Sequence, residues 1–535
     1  MPTFKLDGKE IPFTPGQTII TAAWKHGIEI PHYCWHPGLT VAANCRMCLV
    51  EIMPPPNQRP VMLDILEWDA ASNDYKPQRK PKLQPACQIA VSEGMDVRSD
   101  SSDHVVKARR DVQEFLLLQH PVDCPICDQA GECKLQDYWL EHGQYQKRMR
   151  DEPVHKPKGV SFGPTIVYDA ERCIVCTRCI RFMAEVAKDP VLDQRERGNV
   201  KEIVVAPGRQ LDGNYTFMVD HVCPVGALTT KDFRFKARVW FLRAAKSVCQ
   251  GCATGCSAWL DFDPRSNQAE RYRPRENEQV NKFWMCDHGM VSYRDAHDGR
   301  VADARVGGKP ASPQKALDKA KKLFDGVPHA SIAIVLSAQH SLEDNWAMLE
   351  LGKSLFGAAS FFVARAPDGD HDDILISADK NSNGEGVKQL APEAKSWTDF
   401  LAAIESGGVR HVIALGARTG DLENEKPKLA KLEALVTIAS HESALTAAAA
   451  VVFPATSWAE QSGTYVNYKG IKQMSEKAIA PQGASRPAFQ QIAELALALG
   501  HEPTWSKLKD VRAKLAVPEP LREPAVMPTT ATQAV

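Results

Sequence analysis

The sequence predicts a multidomain chain of mixed class, α+β in its first part and α/β in its second. Three observations carry that prediction. The 535 residues exceed what one hydrophobic core serves, so roughly three to four domains are expected from length alone. All fifteen cysteines lie at or before Cys286, which separates a cysteine-rich half from a cysteine-free one. From about Ala316 short apolar runs alternate with helix-like segments, the texture of a mostly parallel sheet covered by helices.

Composition narrows the function. The chain is 44% hydrophobic and 24% charged with a formal net charge of −1, so nothing points to a nucleic-acid partner. No apolar run approaches the roughly 18–20 residues of a membrane span. The first residues lack the features of a signal peptide and read directly as a strand. The chain is therefore expected in the cytosol or on the cytosolic face of a membrane, where a disulfide framework is not the reason for fifteen cysteines.

In chain order, residues 3–14 alternate apolar and polar around Asp7-Gly8, the pattern of a hairpin with a tight turn, and Thr18 to Gly27 reads as a short helix stopped by glycine. Cys34, Cys45, Cys48 and Cys87 follow, spaced C-x10-C-x2-C-x38-C. This is a stretched form of the plant-type pattern for a [2Fe–2S] cluster, and hairpin, helix and cysteine loop is the order of a β-grasp ferredoxin. A structural zinc site is the alternative. Met53 to Lys82, opening on three prolines, is expected to be an irregular surface insertion without chemistry. His104 to Gln119 suits an amphipathic helix carrying Val105, Val106, Val112, Phe115, Leu116 and Leu117, with Arg109-Arg110 on a solvated face.

That helix leads into the densest motif, His120-Pro-Val-Asp-Cys124-Pro-Ile-Cys127-Asp-Gln-Ala-Gly-Glu-Cys133, spaced H-x3-C-x2-C-x5-C. Pro121, Pro125 and Gly131 keep it out of regular helix. Three thiolates and an imidazole suit either a Cys3His zinc site or an iron–sulfur cluster, and the motif alone leaves the metal open. Next come Cys173, Cys176 and Cys179 as C-x2-C-x2-C. In two-cluster bacterial ferredoxins this run continues x3-C-P, and the fourth cysteine serves the other cluster. Here that position is Met183, so Cys223, itself followed by proline, is the expected fourth ligand of a [4Fe–4S] site. Arg172, Arg178 and Arg181 flank it, read either as solvated side chains or as charges that raise its potential.

The last group is Cys249, Cys252, Cys256 and Cys286, spaced C-x2-C-x3-C-x29-C, which departs from the two separated pairs of a zinc ribbon and favours [4Fe–4S] over zinc. Gly251 and Gly255 leave room for the backbone to approach a bulky cluster. Four groups of four need sixteen ligands, and fifteen cysteines plus His120 supply them.

In the second half, Ala330–Leu336, His411–Leu415, Leu435–Ser440 and Ala449–Pro454 are the apolar runs, and Ser341–Leu355, Trp397–Glu405 and Pro487–Leu499 the helix-like segments. No Gly-rich phosphate loop is present, so no nucleotide site is argued. Residues 462–467 read as a turn into a strand with a structural role, and Val517 to Val535 as a disordered tail.

With these groups in place, Pro31-His-Tyr-Cys34, Asn44-Cys-Arg-Met-Cys48, the His120–Cys133 motif and Cys223-Pro-Val-Gly-Ala227 resemble the large iron–sulfur subunit of respiratory NADH–quinone oxidoreductase, called G in bacteria. The likeness is strong to about residue 300 and weaker to about 500, where Val451 to Thr464 resembles a molybdopterin-oxidoreductase-like domain. The resemblance implies one [2Fe–2S] cluster on Cys34, Cys45, Cys48 and Cys87. It implies three [4Fe–4S] clusters, on His120, Cys124, Cys127 and Cys133, on Cys173, Cys176, Cys179 and Cys223, and on Cys249, Cys252, Cys256 and Cys286. The last matches an additional site of many bacterial members, off the main electron path. The implied function is an electron relay from NADH towards quinone, coupled in the whole complex to proton translocation.

The implied domains are a 2Fe–2S ferredoxin-type domain over 1–100, a His(Cys)3 domain over 101–145 and a 4Fe–4S ferredoxin-like domain over 146–240. A further 4Fe–4S domain of the Mo/W bis-MGD type over 241–300, an α/β domain over 301–510 (short for the family and so truncated) and the tail over 511–535 complete them. No side chain is expected to act as acid, base or nucleophile. The implied partners are an NADH-binding flavoprotein with its small 2Fe–2S companion and the subunits leading to the quinone site, on the cytoplasmic side of a bacterial inner membrane. Two other readings stand beside this one: an electron-transfer subunit of a soluble NAD-linked hydrogenase or formate dehydrogenase, and a zinc-stapled scaffold.

Overall fold

The computed structural model describes residues 1–53, 59, 61–146, 148–357, 360–420 and 422–517. The tail expected over 511–535 needs correction at its start, where residues 511–515 complete the helix Leu508–Leu515 and bury Val511 and Arg512; residues 518–535 lie outside the described residues, as do the three prolines that follow Met53. The described chain divides into two compact units, one ending at Val239 and one beginning at Trp240.

The first unit opens as the pattern predicts. Asp7 and Gly8 take φ of 48° and 82°, as a two-residue hairpin turn of the mirror-image type requires, and join Thr3–Leu6 to Lys9–Pro12 in antiparallel register. The Asp7 carboxylate accepts the Ser99 amide at 2.7 Å and the Ser101 hydroxyl at 2.6 Å, which ties the turn to the strand Asp96–Arg98 running parallel to Thr3–Leu6. The five-stranded sheet has the order Lys9–Pro12, Thr3–Leu6, Asp96–Arg98, Leu49–Met53, Gln84–Pro85. Helix Ile19–Lys25, capped by the Thr18 side chain, buries Ile19, Ile20, Ala22 and Ala23 with Phe4, Leu6, Ile11, Val50 and Val97. Each buried isoleucine is worth ~1.5–3 kcal/mol, which outweighs the poor intrinsic stability of so short a helix. The result is the β-grasp layout.

Two expectations here need correction. The segment between Met53 and Lys82 is not irregular over residues 62–81: Met62–Asp69 and Asp74–Pro81 pair along their whole length as an antiparallel hairpin, in spite of the prolines and charges they carry. Its surface character holds, with Leu66, Trp68 and Tyr75 exposed. In helix Asp103–Leu117 the buried stripe is Val105, Arg109 and Gln113, and Phe115 is exposed. Arg109 is fully buried because its guanidinium binds Asp100 and Ser99, so hydropathy misjudged a polar contact face. The rest of this unit consists of helix Lys134–His142, a three-stranded sheet ordered Leu228–Thr230, Ile166–Tyr168, Val160–Ser161, the pair Leu192–Arg195 with Glu202–Val205, and helices Arg178–Glu185 and Met218–Val222.

The second unit begins with an antiparallel sheet of Arg243–Val248, Ser257–Asp263 and Gln268–Pro274. Asp261 on its central strand is fully buried between Arg271 (2.8 Å) and Arg273 (2.6 Å). Beyond it, five parallel strands stand in the order Ser360–Ala364, Ile332–Ser337, His411–Leu415, Ala434–Ala439, Val451–Pro454, extended by the antiparallel short strands Arg305–Val306 and Lys309–Pro310. Numbered along the chain the parallel order is 2-1-3-4-5, a doubly wound α/β sheet. Helices Pro313–Phe324, Leu342–Phe356 and Ala488–Ala498 contribute to one apolar layer and Trp397–Glu405 to the other. Residues 463–466 form a buried strand paired with Lys472–Ser475.

Candidate functional site

The sixteen candidate ligands sit in loops or at the ends of elements, where backbone leaves regular hydrogen bonding. In the first group Cys48 directly precedes strand Leu49–Met53, and Cys87 follows Gln84–Pro85. Ala43 and Arg46 on either side of Cys45 take φ of 49° and 62°, coiling the loop tightly around that residue. The thiols meet in pairs: a hydrogen bond with Cys45 draws Cys34 down, and one with Cys87 pushes Cys48 up.

In the second group Cys124 starts the single turn Cys124–Ile126, and Cys133 immediately precedes helix Lys134–His142. Burial pushes the Cys127 thiol up and the Cys133 thiol up to about 12, and each feels the charge of a neighbouring cysteine. Burial, with Arg172 second, lowers His120 to about 4, so its imidazole is neutral at pH 7, the form that binds metal. Its Nδ1 is buried with no hydrogen-bond partner among the described residues. A buried polar nitrogen left unpaired is costly, and a metal ligand is one of the few roles that compensates it.

In the third group Cys173, Cys176, Cys179 and Cys223 lie close enough for all three others to raise the Cys179 thiol, after burial itself. Val175 and Thr177 take φ of 52° and 64°, winding the loop before helix Arg178–Glu185, while Cys223 closes helix Met218–Val222. Met183, where a two-cluster ferredoxin has its fourth cysteine, is buried in the core. In the fourth group Cys249 follows a strand, Cys256 precedes the next, and Cys286 caps helix Asp287–Val291. Cys249, Cys252 and Cys286 all act on Cys256, whose thiol burial pushes well up. Among the described residues, no three His, Cys, Asp or Glu side chains converge as the ligands of one metal ion.

Glycines mark the space around the thiols. A Cβ on Gly226 would lie 2.3 Å from the Cys127 sulfur, and one on Gly289 would lie 3.2 Å from that of Cys249 and 3.4 Å from that of Cys286. Gly251 stands in ordinary contact with Cys249 (3.5 Å), and Gly255 takes φ +56°. Sequence reasoning named Gly251 and Gly255 but missed Gly226 and Gly289, although each lies three residues after a candidate ligand.

The arginines also depart from the solvated reading. Arg172 is buried and binds Asp123 through Nε (3.1 Å) and Nη2 (2.9 Å), joining the residue before Cys124 to the residue before Cys173. The backbone repeats that link: the Lys134 amide donates to the Pro224 carbonyl at 3.1 Å, connecting the neighbours of Cys133 and Cys223. Arg178 is buried as well, and Arg181 is partly buried against the first group.

Comparison with known proteins finds family matches over four stretches of the chain. Residues 1–102 match the family described as a 2Fe-2S iron-sulfur cluster binding domain, and 109–148 the NADH-ubiquinone oxidoreductase-G iron-sulfur binding region. Residues 163–229 match the ferredoxin-like domain of NADH-quinone oxidoreductase subunit 3, and 328–498 match molybdopterin oxidoreductase. The G subunit of the NADH-quinone oxidoreductase of Rickettsia felis is 29% identical over 96% of this chain and 89% of its own length. Over nearly its whole length the chain is similar to NADH-quinone oxidoreductase G subunits. In Thermus thermophilus the corresponding protein, subunit 3, is 32% identical over 66% of this chain and 46% of its own. A chain of a solved NAD+-reducing [NiFe]-hydrogenase shares 30% identity over 44% of this chain and 91% of its own, with a TM-score of 0.36.

The 328–498 match is worth testing against the cofactor in its description. Ligands of doubly wound sheets bind beyond the strand C-termini where the strand order reverses, here between Ile332–Ser337 and His411–Leu415. Side chains of this chain close that crevice. Ser337 donates to the Gly416 carbonyl (2.9 Å), the Arg418 amide donates to Gln339 Oε1 (3.0 Å), and Arg418 Nη1 binds Asp295 (2.9 Å). The matched span holds no cysteine to ligate a metal. These residues do not fit a molybdopterin, which disfavours the formate dehydrogenase reading.

Proposed function

We propose that this chain is the iron–sulfur electron-relay subunit of an NADH–quinone oxidoreductase, receiving electrons that originate on NADH through a flavoprotein subunit and passing them towards quinone. The observation that carries the reading is the orphaned, neutral imidazole of His120 in the motif that also supplies Cys124, Cys127 and Cys133, within a chain whose remaining cysteines fall into three further groups. The assignment is one [2Fe–2S] centre on Cys34, Cys45, Cys48 and Cys87, and [4Fe–4S] centres on the His120, Cys173 and Cys249 groups. When bound, these centres supply one-electron redox chemistry.

The chain's own residues hold the thiols out of water, fix the local charge and join the sites. Of the fifteen cysteines, eleven are buried and four are partly exposed. Hydrogen bonds tie the second group to the third through Lys134 and Pro224 and through Arg172 and Asp123. No side chain is needed as acid, base or nucleophile. Among the described residues no helix is long and apolar enough to cross a membrane. The proposed place is peripheral, on the cytoplasmic side of the complex.

The test uses the anaerobically purified chain together with the flavoprotein of its complex. NADH should bleach its visible absorbance through the flavoprotein. Bleaching by dithionite but never by NADH and flavoprotein would contradict the relay.

A further inference from the structure

Two arginines one turn apart on helix Arg178–Glu185 reach from the third cysteine group to the first. Arg178 donates through Nη2 to the carbonyl of Trp35, the residue after Cys34, and through Nη1 to the carbonyl of Val222 (3.5 Å), the residue before Cys223. Arg181 donates through Nη2 to the carbonyls of Cys34 (2.5 Å) and Cys176 (3.4 Å), and through Nη1 to that of Thr40. Asn44 adds a third tie, its amide donating to the Val175 carbonyl at 3.3 Å.

What these two cations lack is as informative as what they bind. Among the described residues every hydrogen-bond partner of Arg178 is a peptide carbonyl, Arg178 is 8% exposed, and its Nε is buried with no partner. Arg181 binds carbonyls and the Thr177 hydroxyl. Neither guanidinium has a carboxylate partner among the described residues. Among the described residues, four other arginines with buried side chains are paired with carboxylates: Arg109 with Asp100, Arg172 with Asp123, Arg300 with Glu460 and Arg512 with Glu343. A buried cation without a counter-ion is strongly unfavourable, so the anionic charge that stabilises Arg178 must be supplied by something else beside it. Cluster-bound thiolates are that charge, and they stand on both sides, at Cys34 and at Cys176, Cys179 and Cys223.

From this we infer that Arg178 and Arg181 form a shared charge clamp between the first and third cysteine groups, raising the reduction potential of both centres together. The inference rests on the cluster assignment made above. Net charge and hydrogen bonding around the ligands set such potentials, and a positive charge favours the reduced, more negative form. Because one guanidinium touches the ligand backbone of both groups, its loss acts on two centres rather than one. Arg178 and Arg181 are positioning residues in this scheme, since neither touches a reacting atom.

The experiment is an anaerobic redox titration followed by EPR on the purified chain, with iron and acid-labile sulfide measured on the same samples. Arg181→Gln should lower the midpoint potentials of the binuclear centre and of the Cys173-group centre, leaving those of the His120 and Cys249 groups in place. Arg181→Lys keeps the charge but replaces the forked donor, and it should hold both potentials near those of the native chain. A shift in only one of the two centres, or in neither, would overturn the shared clamp. So would a lysine variant that moves both potentials as far as glutamine does, since that is the outcome of a purely structural staple. If Arg181→Gln does not fold, the lysine variant alone decides: unchanged potentials support the clamp, and lowered potentials or lost centres refute it. Failure of the underlying assignment looks different, because the native chain would then carry no acid-labile sulfide.

Discussion

Gly226→Ala probes the second cysteine group through a single methyl group. The added Cβ would lie 2.3 Å from the Cys127 sulfur and 3.0 Å from the Gln129 Cβ, so the Cys127 side chain must move or the 223–227 loop must withdraw. Gly226 does not occupy the left-handed region, so alanine carries no backbone penalty and the whole effect is steric. Overpacking of this kind costs ~1–3 kcal/mol, within the ~5–15 kcal/mol stability of a domain, and the chain should still fold. The displaced ligand should cost the His120 group its centre, about four iron atoms per chain for a [4Fe–4S] site. Gly213→Ala is the control, because there the nearest atom to a Cβ is Asp189 Oδ2 at 3.8 Å, an ordinary contact. Iron and sulfide analysis with a thermal melt reads both effects. A Gly226→Ala chain with full iron content and an unchanged EPR spectrum would refute the steric argument and the place of Cys127 among the ligands.

Other perturbations separate the remaining parts of the account. His120→Cys replaces a neutral donor with an anionic one and should lower the midpoint potential of that centre, which a redox titration reads directly; a higher potential in the variant would contradict it. Asp261→Asn should destabilise the second unit by ~3–5 kcal/mol, because two largely buried guanidiniums lose their shared, fully buried partner. Burial opposes the charged form of Asp261, but Arg273 and Arg271 hold its carboxyl below the ordinary 3.8. Its contribution is therefore fully present above that value and lost as pH falls through the folded value, an acid-dependent step in thermal melts that the asparagine variant should lack. On the hairpin, Leu66→Ser should change stability by no more than about 0.5 kcal/mol and leave the iron content alone, since its side chain is exposed.

Local patterns were the legible part of this chain. Asp7-Gly8 announced its turn, Gly27 the end of the first helix, and the apolar runs from 330 to 454 their parallel strands, because each signal lies within a few residues of what it specifies. The spacing of the cysteines likewise delimited four groups. What the sequence did not show depends on contacts across long stretches of chain. Arg109 looked solvated because its partners, Ser99 and Asp100, become neighbours only when the helix docks. For Arg178 and Arg181 the sequence left solvated side chains and potential-raising charges both open, because their acceptors near Cys34 lie more than 140 residues away. Gly226 belonged to a motif already noted, yet its steric role appears only when Cys127 is brought against it. The hairpin between Met62 and Pro81 was hidden by its prolines and charges, which read as loop although the two strands pair throughout.

Whether sixteen ligands hold four iron–sulfur centres is tested most directly by EPR during reductive titration of the anaerobically purified chain, with metal and sulfide counted on the same sample. One binuclear and three tetranuclear centres are the expected result. A colourless protein containing zinc and no acid-labile sulfide would contradict it.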